Sequence, residues 1–213
     1  MQARIGRIES TSARIRSFHP AIVIGLLQTH DYVRALLSGR YAGRELDAMV
    51  AARLGRQQIL DSDREFHFVL TEGVPRWHVG SPQIMIGQAE HSPLWLSCPT
   101  LRWELSRERV RRTAPILHAF QIYDERAVML STETSVALIT DTRDVADFAT
   151  RFEIYAGFAD HGDAARAVFE RIANEYRGRR WGPHSRLFRT DARPTSHRSA
   201  EPPHQRAPGS NSR

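Results

Sequence analysis

The segment from Arg14 to Leu37 constrains the fold more than any other part of the chain. A turn-prone His19-Pro20 pair leads into an apolar run that ends at Gly25, and apolar residues then recur at helical spacing. Thr29 is a suitable N-cap for this helix, because its hydroxyl can accept a hydrogen bond from a free first-turn N–H. The segment therefore predicts an extended arm that leads into a short amphipathic helix.

Helical and strand patterns alternate along the rest of the chain. Helical spacing is found over 44–60, from 81 to 91, over 141–159 and over 163–177, and strand patterns are found over 66–70, 119–123, 127–130 and 135–140. This order predicts an α/β (α+β) fold, a single domain with a small mixed sheet of about four strands packed by helices. We expect a linker helix over 1–15, the domain over 16–180, and a disordered tail rich in Arg, Pro and Ser over 181–213.

The basic character of the chain is a weak indication of nucleic-acid binding. The net charge is +6 and the pI is about 10.3. All 30 basic residues are Arg, which is typical of a GC-rich coding sequence. The stretch from Gly182 to Arg213 carries six Arg against one Asp and one Glu, a net of +4, which leaves +2 for the remainder. The excess charge therefore lies mostly in the tail.

Several motifs carry a resemblance to a known family. The order R-I-R-x-F-x-P-x-x-V-x-G-L-L-Q-T-x-x-Y-x-R-A-L-L over 14–37, F-V-L-T-E-G-V-P-R-W-H-V-G over 68–80 and the segment 118–134 resemble the domain of unknown function that follows the helix-turn-helix in actinobacterial XRE-family transcriptional regulators. The resemblance implies that the first helix joins a DNA-binding module to this domain. The chain itself has no room for that module before the first helix, so we expect DNA contact only through a separate or lost helix-turn-helix.

The segment 92–117 departs from the family pattern. The resemblance implies a buried apolar strand here, whereas the sequence has Pro93, two Trp residues and a charge-dense run from Arg107 to Arg112. A one-base shift in compatible codons restores an apolar strand. Our hypothesis is that this segment is out of frame, which would damage a central strand and destabilise the domain.

Candidate site residues come from polar positions beside predicted elements. Arg53 and Arg56 lie on the polar side of the 44–60 helix, either as a solvated face or as a groove for a ligand or partner. Glu72 ends a strand, where it serves either binding or a structural role as a cap or in a salt bridge. The ligand- or partner-binding residues that we predict are Gln28, Thr29, Tyr32, Arg53, Arg56, Glu72, Arg76, Trp77 and Glu133.

The absence of catalytic motifs from the sequence favours a regulatory domain over an enzyme. The sequence has no Gly-rich phosphate loop, nucleophile elbow, HExxH or CxxC pair, so we predict no catalytic residue, metal or cofactor. The alternatives are a small enzyme that uses Glu72 and Glu133, and a non-specific nucleic-acid binder that uses the Arg-rich tail. A single Cys and the lack of a long apolar run predict a soluble cytoplasmic protein. Its partner would be a protein or a small-molecule effector, and a homodimer is one option.

Overall fold

The computed structural model describes residues 2–91, 101–106, 118–132 and 135–178. Six α-helices lie in these residues: α1 (Gln2–Thr11), α2 (His30–Leu37), α3 (Gly43–Gly55), α4 (Pro82–His91), α5 (Thr142–Ala156) and α6 (Gly162–Gly178). The seven strands are β1 (Arg14–His19), β2 (Glu65–Thr71), β3 (Leu101–Ser106), β4 (Phe120–Tyr123), β5 (Ala127–Ser131), β6 (Val136–Ile139) and β7 (Ala159–Asp160). Short 3₁₀ helices follow at Gly25–Leu27, Arg56–Asp61 and Val74–Arg76.

All seven strands belong to one mixed sheet. Their order is β6-β5-β4-β1-β2-β3-β7, in which β1, β2 and β3 are parallel and the other neighbours are antiparallel. The predicted mixed α/β domain is confirmed, with a sheet larger than the four strands expected. The segment Arg14–His19, predicted as an extended arm, is the central strand of the sheet. It was not predicted as a strand because its polar residues interrupt the apolar run that is typical of a strand covered on both faces.

Helices cover both faces of the sheet. On one face Ile15, Phe68 and Leu70 pack with side chains from α2, α4 and α6. On the other face Phe18 and Phe120 pack against α5. Side chains on a strand alternate between the two faces, so β1 contributes Ile15, Ser17 and His19 to the first face and Arg16 and Phe18 to the second.

The helix cap predicted at Thr29 is confirmed, and Asp141 caps α5 in the same way. The Thr29 hydroxyl accepts a hydrogen bond from Tyr32 N, and the Asp141 carboxylate accepts from the first-turn N–H groups of α5. The helix predicted over 44–60 is α3 followed by the 3₁₀ turn Arg56–Asp61. Each cap satisfies backbone donors that the helix itself leaves without a partner.

A glycine permits close packing between α2 and α4. Gly80 has φ +69°, and a Cβ at this position would lie 2.8 Å from Ala35 Cβ and from Ile84 Cδ1. Both the positive φ and this contact exclude larger residues. The glycine that ends the W-H-V-G motif therefore has a steric role at the start of α4.

The atypical segment 92–117 is only partly described. Leu101–Ser106 forms β3 and pairs in parallel with β2 over six residues, so this part of the segment does occupy a strand position. Residues 92–100 and 107–117 lie outside the described residues. The tail over 181–213 also lies outside them, and the frame-shift hypothesis stays a prediction.

Candidate ligand cavity

A cavity of about 230 Å³ lies against the first face of the sheet. Its floor comes from β1, β4 and β5, and its wall from the loop 22–28 with two Arg residues at the end of α3. The polar residues that line it include Ser17, His19, Gln28, Arg53, Arg56 and Gln121. A concave site with a few converging polar groups is typical of small-molecule binding.

The floor is a row of side chains in register across three strands. Ser17 of β1 is opposite Gln121 of β4, and Gln121 is opposite Met129 of β5. His19 lies two residues after Ser17 and therefore on the same face. Ser17 and His19 thus follow the core residue Ile15 on the same face of β1. Along this face the side chains change from apolar to polar at the point where the cavity lies.

Two polar atoms of the floor are buried without a hydrogen-bond partner among the described residues: Ser17 Oγ and His19 Nδ1. Ser17 is only 1% exposed. Burial lowers the pKa of His19 to about 4, so its ring is neutral near pH 7 and offers one donor and one acceptor. Because an unpaired buried polar group costs about 1–3 kcal/mol, a ligand that supplied hydrogen bonds here would recover that cost.

The loop over the cavity is held by glutamine side chains. Gln28 Nε2 donates to the Val23 carbonyl at 2.6 Å. Gln57 Nε2 donates to the Gln28 carbonyl at 2.7 Å, and Gln88 Nε2 donates to the Leu27 carbonyl at 2.8 Å. Since a loop otherwise leaves carbonyl groups without partners, these three bonds give the cavity wall a defined shape.

The two cations at the cavity differ in their partners. Arg56 forms an ion pair with Glu9 of α1. Burial alone lowers the pKa of Arg56, but the hydrogen bond and charge of Glu9 outweigh it and the pKa is raised. Arg53 Nη1 donates to Gln28 Oε1 at 3.3 Å, and no described carboxylate pairs with it. The pKa of Arg53 is lowered, first by burial and then by the charge of Arg56.

Three of the predicted site residues thus line the cavity, namely Gln28, Arg53 and Arg56. Thr29 and Tyr32 do not line the cavity but form hydrogen bonds with residues of its wall and of the adjoining helix α4. The Thr29 N–H donates to Gln88 Oε1 at 2.8 Å. The Tyr32 hydroxyl accepts from Val23 N at 3.4 Å, and burial raises the pKa of this hydroxyl to about 12.

The remaining predicted residues lie elsewhere. Glu72 accepts from Arg76 at 3.3 Å and from Arg171 at 2.9 Å, and Arg76 also pairs with Glu175. This cluster joins the end of β2 to α6 through ion pairs. Trp77 is 62% exposed. Glu133 lies outside the described residues.

Sequence reasoning missed Ser17, His19 and Gln121. The available signal was a Ser and a His two residues apart in a strand that also carries Ile15 and Phe18. That signal has meaning only if both faces of the strand are known to be covered, because in a sheet with one open face alternating polar residues face solvent.

A second cavity of about the same volume lies on the opposite face of the sheet, beside α5. Its polar lining includes His118, Asp144, Asp147 and Arg151. No group of three or more His, Cys, Asp or Glu residues in the described part of the chain is arranged to hold a metal ion. None of the helices in that part is both long and apolar enough to cross a bilayer. The first cavity is the better candidate because three of its polar residues, Ser17, Gln28 and Gln121, are buried.

Comparison with known proteins places the chain by family. A family model described as "Domain of unknown function (DUF5753)" matches residues 2–171. No curated protein matches the chain. Among solved structures, Nuc from Salmonella typhimurium, a phospholipase D family member, is 12% identical, with 75% of this chain and 90% of that chain covered and a TM-score of 0.39. A likeness at this TM-score carries no inference about activity.

Proposed function

The chain belongs to the family of the domain of unknown function DUF5753, and we propose that it is the ligand-binding regulatory domain of an XRE-family transcriptional regulator. In this proposal a small-molecule effector binds in the cavity between β1, β4, β5 and the 22–28 loop. DNA contact belongs to a helix-turn-helix outside this chain. The protein would act in the cytoplasm beside the DNA.

The observation that carries the proposal is the set of buried polar atoms around the cavity. Ser17 Oγ and His19 Nδ1 have no partner among the described residues, whereas three glutamine side chains satisfy the backbone of the wall. A wall with satisfied polar groups and a floor with unsatisfied ones favours a binding site over a packing defect.

The ion pair between Glu9 and Arg56 offers a route from the cavity to α1. Arg56 lines the cavity, and Glu9 belongs to the helix that the family resemblance implies is the joint to a DNA-binding module. A ligand that changes the position of Arg56 changes one of the contacts that hold α1. This is the kind of differential contact that regulation by a ligand requires.

A protein partner is the competing form of regulation, and one experiment separates the two. Thermal unfolding is followed for the wild type, Ser131→Trp and Ala137→Trp, with the small-molecule or the macromolecular fraction of a cell extract. Ser131 is an exposed residue that lines the cavity, so Trp blocks the cavity with little strain. Ala137 is exposed on β6 opposite Leu130, whose side chain packs with the α5-facing cluster, so it is the matched control.

We expect the small-molecule fraction to raise the unfolding midpoint of the wild type and of Ala137→Trp by roughly 5–10 °C when the effector is near 100 times its Kd. Ser131→Trp should show no such increase. Equal protection of all three proteins, or protection by the macromolecular fraction alone, would contradict the cavity as the effector site.

The DNA upstream of the first codon tests the regulator assignment, since it should encode a helix-turn-helix, and the same gene sequence tests the frame-shift hypothesis.

A further inference from the structure

The charges around the cavity specify the chemistry of its ligand more narrowly than the proposed function does. We infer that the cavity binds a small organic carboxylate, with the carboxylate group at Arg53 and the body of the ligand on the β4–β5 floor. This inference rests on the proposed ligand-binding function and names the class of the effector.

Arg53 has few partners for a half-buried cation. A guanidinium has five N–H donors, and Arg53 uses one of them within the described residues, in the 3.3 Å bond to Gln28. The residue is half-buried, and no described Asp or Glu pairs with it. Burying part of a cation without a counter-ion is unfavourable, and the lowered pKa of Arg53 has the same cause. A bound anion removes this penalty.

The described residues that line the cavity carry an excess positive charge. None of the described residues that line it is acidic. Arg56 already has Glu9 as a counter-ion, and the pKa of His19, lowered to about 4 by burial, makes that ring neutral near pH 7. One uncompensated positive charge therefore remains, and it belongs to Arg53. A single negative charge balances it, which favours a carboxylate over a phosphate that carries nearly two.

The size and polarity of the remaining space also restrict the ligand. A volume of about 230 Å³ lies below the roughly 300–1,000 Å³ of pockets for drug-sized ligands, which suits a ligand of amino-acid size. Met129 and Ile22 supply apolar surface. Ser17 and His19 supply buried groups able to hydrogen-bond a second polar group of the ligand.

The test compares acids with their neutral isosteres on the full chain labelled with ¹⁵N. Benzoate is titrated against benzamide, and isovalerate against isovaleramide, with inorganic phosphate as a separate probe, all at constant ionic strength because salt screens charge interactions. The proteins are the wild type, Arg53→Gln, Arg53→Lys and Arg44→Gln. Arg44 is an exposed residue of the same helix, so its variant removes the same charge without touching the cavity.

We expect at least one carboxylate to bind with a Kd on the order of millimolar, with shifts of the amide signals of 22–28 and 119–121. Its amide isostere should bind at least about tenfold more weakly, since hydrogen bonds to a charged group are the stronger ones. Arg53→Gln should lose about tenfold in affinity for the acid and little for the amide, whereas Arg53→Lys should retain part and Arg44→Gln all of it. Dispersed amide spectra establish that each variant is folded.

Several outcomes would overturn the inference. If the amides bind as well as the acids, the inference that the ligand is an anion fails, whereas the proposal that the cavity binds a ligand still stands. Phosphate that binds more tightly than both acids in an Arg53-dependent manner would replace the carboxylate class. If neither acid binds, the carboxylate inference fails, and if the extract in the Ser131→Trp experiment also gives no cavity-dependent protection, the proposed function fails with it.

Discussion

Lowering the pH should destabilise the folded protein through His19, and replacing this residue should remove that part of the pH dependence. Burial lowers the pKa of His19 from 6.5 to about 4 in the folded state. The unfolded chain therefore binds a proton more readily than the folded protein in this interval. The stabilising contribution is complete above about pH 6.5 and is lost as the pH falls toward 4.

The magnitude follows from the two pKa values. A shift from 6.5 to about 4 corresponds to at most about 3 kcal/mol at low pH, of which about 2 kcal/mol is lost between about pH 7 and pH 5. The ring is only partly exposed and its Nδ1 is buried, so solvent screening reduces this effect modestly. A loss of 2 kcal/mol is a large fraction of the free energy of unfolding of an ordinary domain.

The assay is urea unfolding at both pH values for the wild type, His19→Gln and His30→Gln. His30 is exposed and its Nδ1 lies 3.0 Å from Asp31 Oδ1, so it controls for the loss of a histidine at the surface. Fluorescence and circular dichroism should give coincident transitions, which supports a two-state analysis. The quantity of interest is the difference in unfolding free energy between the two pH values.

We expect this difference to be smaller in His19→Gln than in the wild type by about 2 kcal/mol, with His30→Gln close to the wild type. The substitution itself can change the stability at pH 7, and this does not affect the comparison because each protein is its own reference. If His19→Gln and the wild type lose the same free energy between the two pH values, the reasoning from burial is wrong.

Two further predictions concern the packing around the site. Glu9→Gln should lower the free energy of unfolding, measured with urea, by about 1 kcal/mol. The loss is small because the Glu9 side chain is 13% exposed but that of Arg56 is 47% exposed, so solvent screens the ion pair. Glu45→Gln at an exposed position is the control, and equal stability of the two variants would argue against a contribution from the pair. Phe152→Ala should cost about 3–5 kcal/mol, because Phe152 is fully buried beside His67, whereas Phe158→Ala, at a position 41% exposed, should cost far less; similar losses would contradict the assignment of the α5 core.

Local patterns predicted most helices and the antiparallel hairpin because their causes lie within a few residues. The cap at Thr29, the cap at Asp141 and the turn between β4 and β5 each depend on side chains close in sequence. The central strand Arg14–His19 could not be predicted in this way. Its Arg16 is buried, and the partners of this side chain, Glu153 and the Asp124 carbonyl at 3.2 Å each, lie far along the chain.

The same distinction applies to the candidate site. The helical spacing of 44–60 placed Arg53 and Arg56 together on one side of a helix, and the family resemblance drew attention to Gln28. Which of two interpretations holds for these Arg residues, a solvated face or a groove, was left open by the sequence. In the structure both Arg residues line the cavity whose floor is formed by β1, β4 and β5, so the groove interpretation is the one that we propose.

The sequence by itself indicated the helices, four of the seven strands, the mixed α/β class and a domain of unknown function, because hydrophobic period, capping residues and motifs are properties of short segments. Only the tertiary structure decided that β1 is central and that Ser17 and His19 line the same cavity as Arg53. The physical reason is that burial and charge balance are properties of segments distant in the chain. A polar residue becomes a binding group only when the elements around it exclude water and leave it without another partner.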